Sequence, residues 1–179
     1  MNPIIDRALL DDLSAEARTS ERRRRHRNFH ASDGAAAHRL LNAIEPDSYV
    51  APHRHLDPAK DETILVVRGA LGAIFFDDAG AILRAVRLAP LGAAIGLNIP
   101  SGTYHTVFAL EAGTVFFEAK AGPYLPLGAA ERAAWAPAEG DAAAAAYLAA
   151  LKRRLPAPAQ ARSATSDSRT TPGTTTDSR

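Results

Sequence analysis

The 179-residue chain contains no cysteine. Disulfides, thiolate metal sites and thiol nucleophiles are therefore excluded, and any metal must be held by histidine, carboxylate or main-chain oxygen. No apolar run approaches the roughly 18 residues that a membrane-spanning helix needs. A surplus of one charge sign is missing too: 21 Lys and Arg stand against 20 Asp and Glu, a formal net charge of +1. Arg162, Arg169 and Arg179, with Asp167 and Asp177, lie after Leu155, which leaves 18 charges of each sign in residues 1–155. So neutral a body argues against a broad nucleic-acid surface. The opening MNPIIDRALLDD lacks a charged stretch followed by an apolar one, so the expectation is a soluble, cytoplasmic protein without a secretory signal.

The length suits one domain with appendages. Residues 1–34 read as an N-terminal helix and basic segment, 35–120 as a β-barrel, 121–155 as a C-terminal extension and helix packed on it, and 156–179 as a disordered tail. The tail has no Leu, Ile, Val or aromatic residue to bury. The first helix is expected over Asp6–Ser20, with Leu9, Leu10, Leu13 and Ala17 on one side. The last is expected over Asp141–Leu155, capped by Asp141 and stopped by Pro156. The run Arg22–Arg25, His26, Arg27 reads first as a solvated helix end. A nucleic-acid or anion patch, or the mouth of an anion pocket, remain open readings.

Between the helices, short runs rich in Val, Ile, Phe and Tyr are broken by Gly, Pro, Asn and Asp. Strands are expected at Ala37–Ile44, Ser48–Ala51, Thr63–Arg68, Gly72–Phe76, Ile82–Leu88, Ala94–Leu97, His105–Leu110 and Thr114–Ala119. Eight strands so punctuated predict an all-β sandwich or jelly-roll barrel. Ile74-Phe75-Phe76 and Val115-Phe116-Phe117 are apolar on both faces, so they need cover from the flanking helices or from a second subunit. From these strands a homodimer is expected.

Histidines two apart on a strand point to one face, so His53 and His55 in PHRH converge as a metal-binding pair would. The competing reading of each is a hydrogen-bonded structural histidine. Glu62 heads the next strand, which ends at Gly69. Much later PSGTYH delivers His105 to the start of another strand. HRHLDPAKDETILVVRG and PSGTYH together resemble the two cupin motifs. The resemblance implies a double-stranded β-helix, or jelly-roll barrel, in which His53, His55, Glu62 and His105 bind one divalent metal. The chain departs from the pattern with six residues between His55 and Glu62, and with Ala109 and Ala94 where Asn and Gly are usual. RRRRHRNFH, the IFFDD and VFFEAKAGPY strands and WAPAEGD are further similar to the WbuC-type cupin-fold metalloproteins, over about Leu9–Leu155. That resemblance implies a bacterial O-antigen or polysaccharide setting and leaves the reaction open.

Three imidazoles and a carboxylate suit Fe, Mn, Co, Ni or Zn in the divalent state. Neutral imidazoles are required, so metal affinity is expected to fall below roughly pH 6. Lys60 and Asp61, beside Glu62, and His30 are candidate pocket residues. Arg54 and Tyr104 should face away from the metal by strand alternation. Two functions follow. One is a metal-dependent enzyme, of isomerase, epimerase or dioxygenase type, acting on a small sugar-like molecule. The other is a non-catalytic metal-dependent sensor or carrier of such a ligand. No nucleic acid or membrane is expected as a partner.

Overall fold

The computed structural model describes residues 4–157. Most of the expected tail, 158–179, lies outside them. Helix α1 (Arg7–Thr19) starts where the Asp6 carboxylate accepts the Leu9 amide at 2.9 Å, a side-chain cap that satisfies one orphan helix donor. Strands follow as β1 (Arg24–Asn28), β2 (Ala37–Ile44), β3 (Glu62–Arg68), β4 (Leu71–Phe76), β5 (Ile82–Leu88), β6 (Gly96–Ile99), β7 (Tyr104–Ala109) and β8 (Thr114–Ala121), then helix α2 (Ala144–Lys152).

All pairings are antiparallel. One sheet runs β1-β2-β8-β3-β6 and the other β5-β4-β7. His53 makes an isolated antiparallel bridge to His105 at the free edge of β7. Counted from β2, with His53 as the second strand, the sheets read first–eighth–third–sixth and second–seventh–fourth–fifth. That is the double Greek key of a jelly roll, and with its flanking helices the chain has the architecture of a cupin core.

Three apolar clusters hold the layers together. Ile44, Ile64, Val66, Leu71, Ile99, Val107 and Phe116 fill part of the space between the sheets. Leu10, Leu13 and Ala17 of α1 pack on Leu41, Ala43 and Val115, outside the larger sheet. Leu148 and Leu151 of α2, with Trp135, pack on Ile74, Phe76, Tyr104 and Phe108, outside the smaller one. The two helices thus cover the doubly apolar strands within a single chain. The strip that stays open lies beyond the reach of α1, where Leu65, Val67 and Ile95 are 42, 39 and 54% exposed.

Three sequence expectations need correction. The basic run is no helix end: the helix stops at Thr19, and Arg24–Asn28 pairs with Asn42 and its neighbours as an extra strand. Ser48–Ala51 forms no strand, only the bridge at His53. The second helix begins at Ala144 rather than Asp141, because the Asp141 carboxylate accepts the Ala138 amide at 2.8 Å and closes the preceding turn.

Gly69, at the end of the first motif, takes φ +73 in the turn into β4, and a Cβ there would stand 3.0 Å from Thr114 Cα and 2.5 Å from its Oγ1. Both the backbone conformation and the space select glycine. Gly69→Ala is expected to destabilise the fold by about 2–3 kcal/mol, read as a lower urea midpoint at unchanged m-value.

Candidate functional site

The barrel places its chemistry by strand alternation. His53 and His105 are opposed across the bridge, each amide donating to the other's carbonyl at 3.0 and 2.9 Å. Their ring centroids are 4.6 Å apart. The C-terminal extension clamps the histidine segment from the other side: the Arg54 amide donates to Glu131 O at 2.9 Å, the Ala133 amide to Pro52 O at 3.1 Å, and the Leu56 amide to the Glu131 carboxylate at 3.0 Å. Alternation turns Arg54 outward, onto Asp78 at 2.8 Å and over the Tyr104 ring at 4.3 Å.

Glu62 is 4% exposed. Its Oε1 lies 2.9 Å from His55 Nε2 and 2.8 Å from Lys120 Nζ, and its Oε2 lies 3.2 Å from His105 Nε2. Burial alone would raise its pKa. The bonds from His105 and His55 and the charge of Lys120 outweigh burial and hold the carboxyl well below the usual range. Lys120 also meets Glu118 Oε1 at 2.7 Å, while Asn42 donates to Glu118 Oε2 at 2.8 Å. Burial would lower the Lys120 pKa, but the two carboxylates override it and keep the ammonium charged.

The imidazoles differ in what surrounds them. His53 Nδ1 faces Ala51 O at 3.0 Å and its Nε2 has no protein partner among the described residues. Burial, aided by His105, pushes its pKa down to about 3, so at neutral pH its Nε2 is a free lone pair. His105 stands between two acceptors, Thr103 O at 2.9 Å from Nδ1 and Glu62 Oε2 at 3.2 Å from Nε2. A neutral ring has one N–H. The second acceptor therefore needs either an additional ring proton or a cation shared by Nε2 and the carboxylate.

As the side chains stand, no group of three or more His, Asp or Glu residues among those described is arranged to hold a metal ion. Glu62 turns both oxygens onto protein donors. The donor chemistry still suits a divalent cation: ligands each about 2.1 Å from one ion, at right angles, are separated by about 3 Å, close to the two His–Glu62 distances. Among the described residues, Lys120 is the one outside the histidine set that competes for the carboxylate.

Of the seven residues singled out in the sequence, the fold brings His53, His55, Glu62 and His105 together. Lys60 is buried beside His53, His55 and Lys120 in a side cavity of about 200 Å³. Asp61 does not face the site; its carboxylate accepts the Ser101 amide at 2.9 Å and fixes the turn before His105. Nor does His30, which stacks on His38 with centroids 3.9 Å apart. Sequence reasoning missed Lys120, one residue past the expected end of the last strand at Ala119, and Glu118, which lies within that strand; the alternation from Phe116 puts both on the inner face. It also left open Arg22, Arg24 and His26, which line a cavity of about 190 Å³ above His53, Glu62 and His105.

A family model described as a domain of unknown function (DUF6016) matches residues 5–88, a span that includes His53, His55 and Glu62 but not His105. No curated protein matches the chain. Similar solved structures include KdgF from Halomonas sp., at 16% identity over 57% of this chain and 82% of that one, TM-score 0.45. A cupin 2 domain-containing protein from Halorhodospira halophila is 20% identical over 75% of this chain and 83% of that one, TM-score 0.45. A cupin superfamily protein from Desulfitobacterium hafniense is 15% identical over 61 and 86%, TM-score 0.46. The strand order, rather than these likenesses, defines the fold.

Lys120 is the countercharge to two buried carboxylates. Lys120→Met should destabilise the metal-free protein by about 3 kcal/mol, measured by chemical denaturation in EDTA.

Proposed function

We propose that the barrel interior is a divalent-metal site, with His53, His55, Glu62 and His105 as ligands, that binds a small polar, sugar-like molecule in the cavity above it. The position of His105 between two acceptors carries this reading, since a shared cation satisfies the ring nitrogen and the carboxylate together. Bound there, the metal supplies Lewis acidity toward a carbonyl or hydroxyl oxygen of the ligand. Lys120 keeps Glu62 ionised and oriented, and the Nδ1 contacts of His53 and His105 fix both rings. The O-antigen or polysaccharide setting implied by the WbuC-type resemblance favours a saccharide, and isomerisation or epimerisation over oxygenation.

A second reading is a non-catalytic ligand-binding barrel. One observation favours it: the carboxylate in the cavity besides Glu62 is Glu118, which Lys120 and Asn42 already occupy, so among the described residues no unengaged carboxylate faces the ligand.

Protein from cells supplied with Fe, Mn, Co, Ni and Zn is expected to carry about one equivalent of metal by plasma mass spectrometry, with His105→Ala and Glu62→Gln losing it. Equal, negligible metal in all three would defeat the reading. A screen of nucleotide sugars on the loaded protein separates turnover from binding.

The exposed strip of Leu65, Val67 and Ile95 supports a homodimer formed through the outer face of β3. Light scattering at micromolar concentration is expected to give twice the chain mass, and Leu65→Glu to give the monomer. A monomeric wild type refutes the dimer.

A further inference from the structure

Glu139 is gripped as a bound anion would be. Arg24 Nη2 donates to its Oε1 at 2.6 Å, and Arg22 Nη2 and Nε donate to its Oε2 at 2.6 and 3.1 Å. Two guanidiniums, one on each oxygen, are the arrangement proteins use for ligand carboxylates and phosphates. Burial would raise the Glu139 pKa, and the two arginines override it and hold the group ionised.

The place of this clasp gives it meaning. Arg22, Arg24, Val50 and His53 line both the barrel cavity and an adjoining groove of about 670 Å³ under the C-terminal extension, and Glu139 lines that groove. Arg22, Arg24, Arg25 and His26 of the basic run line the cavity, but Arg25, like Arg27, pairs with Glu16 of α1, so Arg22 and Arg24 are the two arginines that meet Glu139. Arg24 keeps its position without Glu139, because its Nη1 donates to Tyr49 O at 3.0 Å and Ser48 Oγ at 3.3 Å. The Arg22 side chain is 65% exposed and bonds only to Glu139 among the described residues. The loop around Glu139 is pinned on either side, by Tyr49 Oη on Pro137 O at 2.8 Å and by the Asp141 turn. The Glu139 side chain can therefore rotate away while its backbone stays.

We infer that Glu139 is an internal placeholder, and that Arg22 and Arg24 form an oxyanion subsite for a carboxylate or phosphate on the small molecule that enters the barrel. An uncharged ligand that displaced Glu139 would leave two guanidiniums facing one another without a counterion. Only a ligand bringing its own oxyanion makes the exchange nearly even. The inference rests on the barrel cavity being the ligand site, and it does not depend on which metal, if any, occupies it.

Inorganic phosphate, titrated at constant ionic strength into the full-length protein, is the first probe, followed by the arginine Nε–H NMR signals. Saturable shifts of Arg22 and Arg24 are expected, absent with chloride. Glu139→Gln removes the competing carboxylate and should tighten phosphate about fivefold or more. Arg24→Gln should abolish the saturable shift. Phosphate affinity unchanged in Glu139→Gln, or wild-type shifts that chloride reproduces, would overturn the proposal. Glucose 1-phosphate, glucuronate and glucose then distinguish phosphate from carboxylate, and glucose binding as tightly as both would also overturn it. Metal content is measured on the same samples. Loss of metal with oxyanion binding intact refutes the metal reading alone, and the converse refutes this one alone.

Discussion

A carboxylate sits almost out of water inside this barrel, and much of the surrounding structure follows from keeping it charged there. Burying a lone Glu62 would neutralise it. Lys120 opposes it in register on β8, and His55 and His105 approach its two oxygens. Lys120 in turn needs more negative charge than one carboxylate shared with two imidazoles provides, and Glu118, two residues back on the same strand face, supplies it. Asn42 on β2 then takes the remaining oxygen of Glu118. A chain of polar contacts thus crosses three neighbouring strands of the larger sheet. It replaces apolar packing at one end of the barrel, while Ile44, Ile64, Val107 and Phe116 fill the space beside it.

The smaller sheet has a different problem. His53 and His55 lie on a segment too short to pair as a full strand, joined to β7 only at His105. The C-terminal extension completes its other edge, through Glu131, Arg132 and Ala133. That explains why a chain with a complete jelly roll by Ala121 continues into an apolar segment ending in α2. The extension covers the apolar back of β4 and β7 and also fixes the strand that carries two of the converging histidines. Packing outside the barrel and geometry inside it are therefore coupled through the backbone hydrogen bonds Arg54 N–H to Glu131 O and Ala133 N–H to Pro52 O, and through the Leu56 amide on the Glu131 carboxylate.

Much of this was legible in the sequence, because the signals were local. Leu9, Leu10, Leu13 and Ala17 on one side announce α1, and the PHRH and PSGTYH segments place three histidines. The basic run misled because arginine is a good helix former. Its strand identity comes from β2, which offers an open edge, and from Glu16 and Glu139, which lie 9 and 115 residues away from Arg25 and Arg24. Likewise, alternation from Phe116 turns Lys120 inward but does not name the carboxylate on β3 that it meets. Its partner Glu62 is 58 residues earlier, and only the β3–β8 register joins them. Asp61 precedes β3, and its carboxylate accepts the Ser101 amide, a partner 40 residues away.

The doubly apolar strands show why a correct premise can support two conclusions. Cover was required, and α1 and α2 supply it over β2, β8, β4 and β7. On β3, α1 meets Arg68 through Asp11 and the Arg7 carbonyl, but Leu65, Val67 and, just before β6, Ile95 remain exposed. The uncovered apolar surface therefore lies not on the strands that first suggested a partner subunit but at the opposite end of the larger sheet. That end is also the edge strand β6, only four residues long and paired on one side. A short edge resists strand addition, so a partner seated here would meet side chains of the outer face rather than extend the sheet.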